Sequence, residues 1–307
     1  MTTGYRIGVD LGGTKIEASA IDRGGGMAVR HRVPTPAGDY AGTIAAVVAL
    51  VRRIEDQLGP LLPVGVGIPG TLAAATGLVK NANSTWLIDR PLGLDLAAAL
   101  GREVRLANDA NCFALSEASD GAAAGCRNVF GVILGTGVGG GVVVDGRIVV
   151  GANAIAGEWG HNPLPWPRPD ELPGPDCYCG RKGCIETFLS GPGLAADHRR
   201  HGGQDLDGRR IVARAAAGDH QCETTMQRYA GRLARALASV INILDPDAIV
   251  LGGGLSGIAG LYREVPRRWG EFVFSDAVVT RLLPPRHGDS SGVRGAAWLW
   301  LPEAAAG

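Results

Sequence analysis

Two short glycine turns carry the residues best suited to bind an anionic ligand. The first reads Asp10-Leu-Gly-Gly-Thr-Lys15, with a carboxylate before the glycines and a hydroxyl and an ammonium after them. Because glycine has no side chain, backbone N–H groups in such a turn are open to phosphate oxygens. An aspartate beside them can hold magnesium or its water shell. The sequence therefore predicts a metal-phosphate site at 10–15, and the alternative is an ordinary tight hairpin.

Three glycine runs match the dinucleotide fingerprint G-x-G-x-x-G, at 65–70, 135–140 and 252–257. The fingerprint requires a helix directly after the glycines, because the helix N-terminus binds the pyrophosphate. The run 135–140 is followed by another strand-like segment, and 65–70 contains Pro69. The Gly-Lys-Ser/Thr ending of a P-loop is absent. A Rossmann oxidoreductase is therefore disfavoured, and 135–137 is a second candidate phosphate turn.

A polar tip, Asn108-Asp109-Ala-Asn111, follows the apolar run 104–107. Ligand sites of α/β folds gather at the carboxyl ends of strands. Phosphoryl transfer to a hydroxyl requires a carboxylate that accepts the hydroxyl proton, and Asp109 is the best-placed candidate. The alternative is that Asp109 caps the N-terminus of the following helix.

Three cysteines are clustered in Cys177-Tyr-Cys179-Gly-Arg-Lys-Gly-Cys184, and His161 stands sixteen positions before the first. Three thiolates and one imidazole form the closed tetrahedral set of a structural zinc site. A disulfide and unliganded thiols are the alternatives. Zinc in this loop would fix His161, and with it the turn that presents Glu158, while Cys184 lies just before Glu186.

The elements that must position these residues occur twice along the chain. The first half predicts strands at 5–11, 16–21 and 27–33, then a helix at 44–58. The same order begins again after about residue 125 with strand 129–134. This duplication is the layout of the actin-like ATPases, in which two similar domains face each other across a nucleotide cleft. We therefore predict an α/β protein with the actin-like (ribonuclease H-like) fold.

The predicted domain boundaries follow from this duplication. The N-terminal domain spans 1–118 and is completed by a C-terminal helix within 290–307. The C-terminal domain spans 119–289 and contains the zinc loop 161–184. Its longest predicted helix has apolar residues at steps of three or four from Met226 and ends at Asp245-Pro246.

The overall charge excludes some classes of partner. Thirty Lys and Arg balance thirty Asp and Glu, so the chain lacks the basic excess of proteins that bind nucleic acid or acidic membranes. The start MTTGYRIGVDLGG does not read as a signal peptide, and no run of eighteen apolar residues occurs. We expect a cytoplasmic protein with small-molecule partners.

Together these motifs resemble the ROK family of sugar kinases and repressors over nearly the whole chain. The resemblance rests on the segments 10–15, 67–70, 108–111, 134–141, 157–161, 177–186 and 251–254. Within the family, the segments 80–86, 161–166 and 288–300 look like those of the bacterial manno(fructo)kinases.

The resemblance implies a role for each candidate residue. Asp109 would be the catalytic base. Hydroxyls of the sugar would be contacted by Asn83, Asn108, Glu158, His161 and Glu186, and zinc would be held by His161, Cys177, Cys179 and Cys184. The phosphates would lie at Asp10, Gly12, Gly13, Thr14 and Lys15 and at Gly135, Thr136 and Gly137, and the adenosine at Gly252, Gly253 and Gly254.

The implied activity is ATP-dependent phosphorylation of a free hexose, with fructose leading and mannose a further substrate. The cofactors would be ATP, Mg²⁺ and structural Zn²⁺, and the assembly a homodimer. A kinase for glucose, mannose or an N-acetylhexosamine is the nearer alternative. A sugar-sensing regulator is the other, although only nine residues precede Asp10, where such regulators carry a helix-turn-helix domain.

Overall fold

The computed structural model describes residues 4–300, which form two compact units. The first unit comprises 4–125, Gly141–Ala156 and 286–300, and the second comprises Cys126–Gly140 and Gly157–Pro285. This division differs from the predicted boundaries chiefly at Gly141–Ala156, which belongs to the first unit. Residues 301–307, part of the predicted C-terminal helix, lie outside the described residues.

The first unit is built on a sheet whose centre is buried on both faces. Its strands are β1 (Arg6–Leu11), β2 (Lys15–Ile21), β3 (Met27–Pro34), β4 (Val64–Ile68), β5 (Thr71–Leu72), β6 (Val79–Lys80) and β7 (Val104–Asn108). The sheet order is β3-β2-β1-β4-β7, with β5 and β6 forming a separate hairpin. The first three strands are antiparallel, whereas β4 and β7 extend the sheet in parallel.

Three helices of the first unit lie between or after these strands. They are α1 (Tyr40–Leu58), α2 (Leu92–Leu100) and α3 (Asp109–Ser119). Helix α1 starts four residues before the predicted 44–58, because Asp39 caps it by accepting the N–H of Gly42. Its buried face joins β1, β2 and β4 in one apolar core.

The second sheet repeats the order of the first. Its strands are β8 (Asn128–Leu134), β9 (Val138–Val144), β10 (Arg147–Ile148), β11 (Ala248–Gly252) and β12 (Arg281–Leu283), in the order β10-β9-β8-β11-β12. Strands β11 and β12 are parallel extensions, as β4 and β7 are in the first sheet. The predicted duplication is therefore present in the sheet topology.

Six helices belong to the second unit. They are α4 (Glu186–Leu189), α5 (Gly191–Arg200), α6 (Gly208–Ala216), α7 (His220–Leu244), α8 (Leu261–Glu264) and α9 (Pro266–Trp269). The long helix α7 begins six residues before the predicted 226, where Asp219 accepts the N–H groups of Gln221 and Cys222. Within residues 4–300, no helix combines the length and the apolar character needed to cross a membrane.

The C-terminal helix α10 (Ser291–Trp298) returns to the first unit and lies almost on the backbone of its neighbours. A Cβ on Gly8 would stand 1.9 Å from the carbonyl oxygen of Val293, and one on Gly65 would stand 1.9 Å from that of Ala296. A Cβ on Gly295 would stand 1.7 Å from the carbonyl oxygen of Cys112 in α3. These glycines, including one from the fingerprint-like run 65–70, therefore serve close helix packing.

Candidate active site

The first glycine turn, Gly12–Thr14, connects β1 to β2 and is closed by the N–H of Gly12, which donates to the carbonyl of Lys15 at 3.0 Å. Gly13, Thr14 and Lys15 are exposed. Thr35 supports the turn from the neighbouring strand, since its hydroxyl donates to the carbonyl of Gly12 at 2.7 Å. The N–H of Gly13, the Thr14 hydroxyl and the Lys15 ammonium are left as groups that an anion could approach.

Asp10 stands at the end of β1, directly before this turn. Its carboxylate lies beside the first turn of α10, where a Cβ on Gly292 would be 3.3 Å from it. Burial, followed by the charges of Asp109 and Glu17, raises the pKa of Asp10 from 3.8 to about 6. Asp10 and Asp109 are therefore close enough to interact, as expected for two carboxylates that serve one phosphoryl transfer.

Asn108 and Asp109 stand where β7 ends and α3 begins. Asn108, and not Asp109 as in the alternative interpretation, is the N-cap of α3. Its side-chain oxygen accepts the N–H of Ala110 at 2.9 Å. Asp109 is the first residue of the helix and is exposed, although its Oδ1 also accepts the Ala110 N–H at 2.8 Å. Asp109 thus keeps an exposed carboxylate at the carboxyl end of a strand.

Gly70 links Asn108 to the segment that carries Asn83. The amide of Asn108 donates to the carbonyl of Gly70 at 2.8 Å. A Cβ on Gly70 would be 2.4 Å from the carbonyl of Lys80 and 2.8 Å from the nitrogen of Ala82. Gly70 has a φ of 78°, so both its conformation and its neighbours require glycine. Asn83 is exposed in this segment.

A cavity of ≈ 330 Å³ in the first unit reaches the same polar tip. Asn108 and Asn111 line it together with Arg105 and apolar side chains such as Ile68 and Ile148. The side-chain oxygen of Asn111 is buried and has no hydrogen-bond partner among the described residues. Asn111 is therefore a polar group of this tip that the sequence motif contained but to which no role was assigned.

The second glycine turn, Gly135–Gly137, connects β8 to β9 in the second unit. The N–H of Gly135 donates to the carbonyl of Gly137 at 3.0 Å, and the N–H of Gly191 donates to the carbonyl of Gly135 at 2.8 Å. Thr136 is exposed at the tip. This turn is thus held by its own backbone and by the start of α5.

Glu186 contacts this turn directly. Its Oε2 accepts the N–H of Val138 at 2.8 Å, and a Cβ on Gly137 would stand 2.7 Å from the same oxygen. Gly137 does not have a positive φ, so glycine is needed here for space alone. A residue expected to contact the sugar therefore also fixes the second candidate phosphate turn.

Gly252–Gly254 continue β11 next to the end of β8, because Gly252 pairs with Ile133 in parallel register. Gly253 has a φ of 79°, and a Cβ there would be 2.5 Å from the carbonyl of Leu134. Gly254 is exposed with open space around its Cα. The fold thus brings the predicted adenosine segment alongside the strand that leads into the second turn.

Glu158 belongs to a segment that lies on the start of β9. Trp159 is buried and donates its indole N–H to the carbonyl of Gly139 at 3.0 Å. A Cβ on Gly160 would be 2.2 Å from the carbonyl of Val138, so the two backbones are in direct contact. Glu158 itself is exposed. Glu158, His161, Glu186 and the second turn are therefore gathered around one strand end of the second unit.

His161, Cys177, Cys179 and Cys184 converge, with their ligand atoms all within 4.8 Å of one another. The Cys177 Sγ lies 3.5 Å from the His161 Nδ1, and the Cys179 Sγ lies 3.6 Å from the Cys184 Sγ. A tetrahedral zinc site with bonds of about 2.0–2.3 Å has edges of about 3.5–3.8 Å. The donor set and its spacing therefore fit zinc, and none of the six cysteines forms a disulfide in residues 4–300.

The loop that holds these ligands is built by backbone contacts. Gly180 and Gly183 have φ values of 85° and 68°, and the N–H of Gly180 donates to the carbonyl of Cys177 at 3.0 Å. The N–H of Ile185 donates to the carbonyl of Asn162 at 2.9 Å. The histidine segment is thus tied to the segment that enters α4, one residue before Glu186.

Tyr178 is a further polar residue of this region that the sequence-based assignment missed. Its hydroxyl lies 2.9 Å from the His161 Nε2, although 83% of the side chain is exposed. Partial burial, followed by the charges of Glu186, Cys177 and Glu158, raises the pKa of Tyr178. The available signal was its position between Cys177 and Cys179, inside the loop that leads to Glu186.

Comparison with known proteins identifies the family. A model of the ROK family matches residues 6–303. The chain belongs to the ROK family. The N-acetyl-D-glucosamine kinase of Yersinia enterocolitica is 41% identical over 298 residues, covering 96% of this chain and 98% of that protein.

Two solved ROK structures agree with the fold. The ROK hexokinase of Thermus thermophilus has a TM-score of 0.84 at 33% identity, covering 95% of this chain and 96% of that one. The ROK glucokinase of Streptomyces griseus, solved with glucose and AMPPNP, has a TM-score of 0.76 at 28% identity, covering 96% and 99%. The predicted actin-like fold with mixed sheets in two domains is confirmed.

The comparisons support a sugar kinase, an ATP-dependent phosphotransferase. They do not support the finer prediction of a fructokinase closest to the bacterial manno(fructo)kinases, because curated proteins that are 40–41% identical to this chain are N-acetyl-D-glucosamine kinases. The residue roles implied by the family resemblance stay predictions.

Proposed function

We propose that this ROK protein transfers the γ-phosphate of ATP to a hydroxyl of a free hexose, with Asp109 as the base. The observation that supports this most is the exposed carboxylate of Asp109, whose charge acts on half-buried Asp10 beside the first glycine turn. An exposed carboxylate can accept the proton of a hydroxyl, and a glycine turn can hold the phosphate that leaves ATP.

The first turn and Asp10 would bind the phosphates. Thr14, Lys15 and the backbone of Gly12 and Gly13 supply donors, and Asp10 would hold Mg²⁺ directly or through water. Bound Mg²⁺ neutralises phosphate charge. Because the Asp10 side chain makes no hydrogen bond with other described residues, its carboxylate is available for this role.

The remaining roles follow the family resemblance. Asn83, Asn108, Glu158, His161 and Glu186 would hydrogen-bond the hydroxyls of the hexose. Gly135, Thr136 and Gly137 would bind phosphate, and Gly252, Gly253 and Gly254 would lie against the adenosine. The contact of Glu186 with the Val138 N–H uses one side of Oε2, and Oε1 makes no other hydrogen bond within 4–300, so it can accept from a sugar hydroxyl.

We also propose that His161, Cys177, Cys179 and Cys184 bind a structural zinc ion. The closed four-ligand set supports this, because a catalytic zinc site keeps one position open. Tyr178 would support the metal through the other nitrogen of His161. The zinc would hold in place the loop that ends at Glu186.

Two hexoses are candidates for the substrate. N-acetyl-D-glucosamine is supported by the curated relatives at 40–41% identity over 95–96% of the chain. D-Fructose is supported by the local resemblance of 80–86, 161–166 and 288–300 to manno(fructo)kinases, of which 80–86 contains Asn83. Local segments near a pocket can differ between relatives of the same overall identity, so both candidates belong in the first assay.

The decisive experiment measures ADP release by the purified protein with Mg²⁺ and ATP against fructose, mannose, glucose and N-acetyl-D-glucosamine, with a control without sugar. We expect the highest kcat/KM on fructose or N-acetyl-D-glucosamine. Preference for glucose or mannose would support the kinase activity but rule out fructose and N-acetyl-D-glucosamine as the preferred substrate. If no sugar is turned over but calorimetry shows sugar binding, the protein would be a sugar-sensing regulator and not a kinase.

The predicted homodimer is a separate proposal. Large apolar side chains of the second unit, Ile243 and Phe274, are 88% and 101% exposed. Such exposure is typical of surfaces that are covered in an assembly. Light scattering coupled to size exclusion gives the mass, and a monomer at micromolar concentration would contradict the proposal.

A further inference from the structure

A cavity of ≈ 160 Å³ in the second unit is lined by arginines and takes no part in the proposed reaction. It lies between the short helical turn Pro169–Glu171, the middle of α7 and α9. We call it the arginine cavity. Its lining residues are Arg168, Asp170, Glu171, Thr224, Gln227, Arg228, Gly231, Arg235 and Arg268. None of them is among the residues expected to bind sugar, nucleotide or zinc.

The inner wall of the arginine cavity is buried and held together by ion pairs. Arg235 is 4% exposed and donates through both terminal nitrogens to Glu171, at 2.8 and 2.7 Å. Arg232 donates to the same carboxylate at 2.8 Å. Although burial alone would raise it, the hydrogen bonds from the Arg235 side chain, the Arg168 backbone N–H and the Arg232 side chain hold the pKa of Glu171 at about 2. The wall therefore stays ionised at neutral pH.

The cavity lining carries four arginines, Arg168, Arg228, Arg235 and Arg268, against two carboxylates, Asp170 and Glu171. Three carboxylates in and around it are moreover each shared by two or three guanidinium groups, so each of these arginines is only partly neutralised. Glu171 pairs with Arg232 and Arg235; Asp197 with Arg200, Arg228 and Arg232; Glu264 with Arg263, Arg267 and Arg268. In a chain with no net charge, this is a local positive excess.

Two arginines at the rim are available to a ligand. Arg168 is exposed and makes no ion pair with any other residue in the described part of the chain. Arg268 reaches Glu264 only at 3.3 Å with one nitrogen, and its other terminal nitrogen faces Gly231. Glycine at 231 leaves that side of α7 without a side chain, although glycine weakens a helix interior. Space and unpaired donors therefore occur together.

We propose that the arginine cavity binds a phosphate group. Planar guanidinium groups are matched to phosphate oxygens, and Thr224 and Gln227 add neutral hydrogen-bonding groups. The ligand is either inorganic phosphate or the phosphate of a small ester, and the chemistry of recognition is the same for both. The alternative is an ion-pair network that only stabilises the fold.

The test is calorimetric titration of the full-length protein with inorganic phosphate, and in a second arm with a hexose 6-phosphate. Mg²⁺ and AMPPNP are kept saturating, so that the nucleotide site is already occupied. The variants are Arg168→Ala and Arg268→Ala, whose side chains lie at the rim. The matched control is Arg267→Ala, which pairs with the same Glu264 but does not line the cavity.

We expect wild type and Arg267→Ala to bind phosphate with equal Kd, and each rim variant to bind about tenfold more weakly or worse. Binding should also weaken with added NaCl. Stronger binding of the ester in the second arm would identify an ester as the ligand, and equal binding would identify the free anion. Absence of phosphate binding, or equal Kd in all four proteins, would overturn the proposal. Neither result depends on which sugar is phosphorylated.

Discussion

The two glycine turns occupy equivalent places, each joining the first two strands of a five-stranded sheet, yet their neighbouring carboxylates differ. Asp10 comes from the strand that enters the first turn and is half-buried, and its carboxylate makes no hydrogen bond with other described residues. Glu186 comes from a segment 48 residues after Val138 and is fixed by the backbone N–H of that residue. The first turn thus has a carboxylate that can bind a metal, and the second has one that holds the turn in place.

This difference indicates how one supersecondary unit can serve two purposes. The Asp10 carboxylate can still bind a cation, but its pKa is raised. The Glu186 carboxylate uses one oxygen on the Val138 N–H, so it is less able to bind a cation, but it fixes the turn against α4.

Asp109→Asn should lower kcat by about 10²–10⁴-fold, because an amide cannot accept the hydroxyl proton. Sugar affinity by calorimetry should change little, since the Asn oxygen can still accept the Ala110 N–H. The same substitution should lower the pKa of Asp10, whose raised value owes part to the Asp109 charge. Asp89→Asn is the matched control, an exposed aspartate of the same unit. Retained turnover would assign the base elsewhere.

Removing the metal tests the region around Glu186. Chelation, or Cys179→Ser, should abolish activity while far-UV circular dichroism stays near wild type, because the loop that positions Glu158 and Glu186 loses its anchor. Cys126→Ser, outside the cluster, should keep both metal and activity. Elemental analysis should find about one zinc per chain. Full turnover by metal-free protein would show that activity does not need zinc.

Gly137→Ala should raise the KM for ATP about ten- to a hundredfold, because its Cβ would meet the Glu186 carboxylate at 2.7 Å and shift the turn. Gly257→Ala is the control, since its Cβ has open space and its φ is not positive. Steady-state kinetics with each substrate varied measures the effect. A change confined to the KM for sugar would mean that the turn does not bind phosphate.

The smallest expected effect is a pH dependence of activity that comes from Asp10. Its pKa of about 6 predicts that activity falls severalfold as pH drops from 7 to 5, because the protonated acid cannot hold the metal. The folded pKa is raised, so the contribution to stability is present below 3.8 and lost as pH rises through about 6.

Without Mg²⁺, Asp10→Asn should therefore be more stable than wild type at pH 8, by on the order of 1–3 kcal/mol, and less so at pH 5. Urea denaturation at both pH values gives the free energies of unfolding. An equal difference at both would contradict the raised pKa.

Local features of the fold could be predicted from the sequence, and long-range contacts could not. The strands β1, β2 and β8 were placed within a residue of their observed ends, because apolar runs bounded by glycine are a short-range signal. Helices α5 and α6 were missed. The first begins Gly-Pro-Gly, and the second buries only Ile211, so neither shows a clear apolar stripe.

The candidate site divides in the same way. The cluster of His161 with three cysteines follows from spacing, and its convergence agrees with the prediction. The contact of Glu186 with Val138 depends on tertiary packing and left no mark in the sequence. The helix cap was assigned to Asp109 in the alternative reading because Asn and Asp are equally good caps, and only the geometry shows that Asn108 serves.

The close approach of α10 to Gly8 and Gly65 has a consequence for synthesis. Chains emerge from the ribosome N-terminus first, at about 5–20 residues per second. The face of the first sheet that carries these glycines is made early, but the helix that covers it lies at Ser291–Trp298. That face therefore stays uncovered while the whole second unit is translated. A nascent chain stalled before residue 291 should be a better chaperone client and a better protease substrate than one released just beyond it.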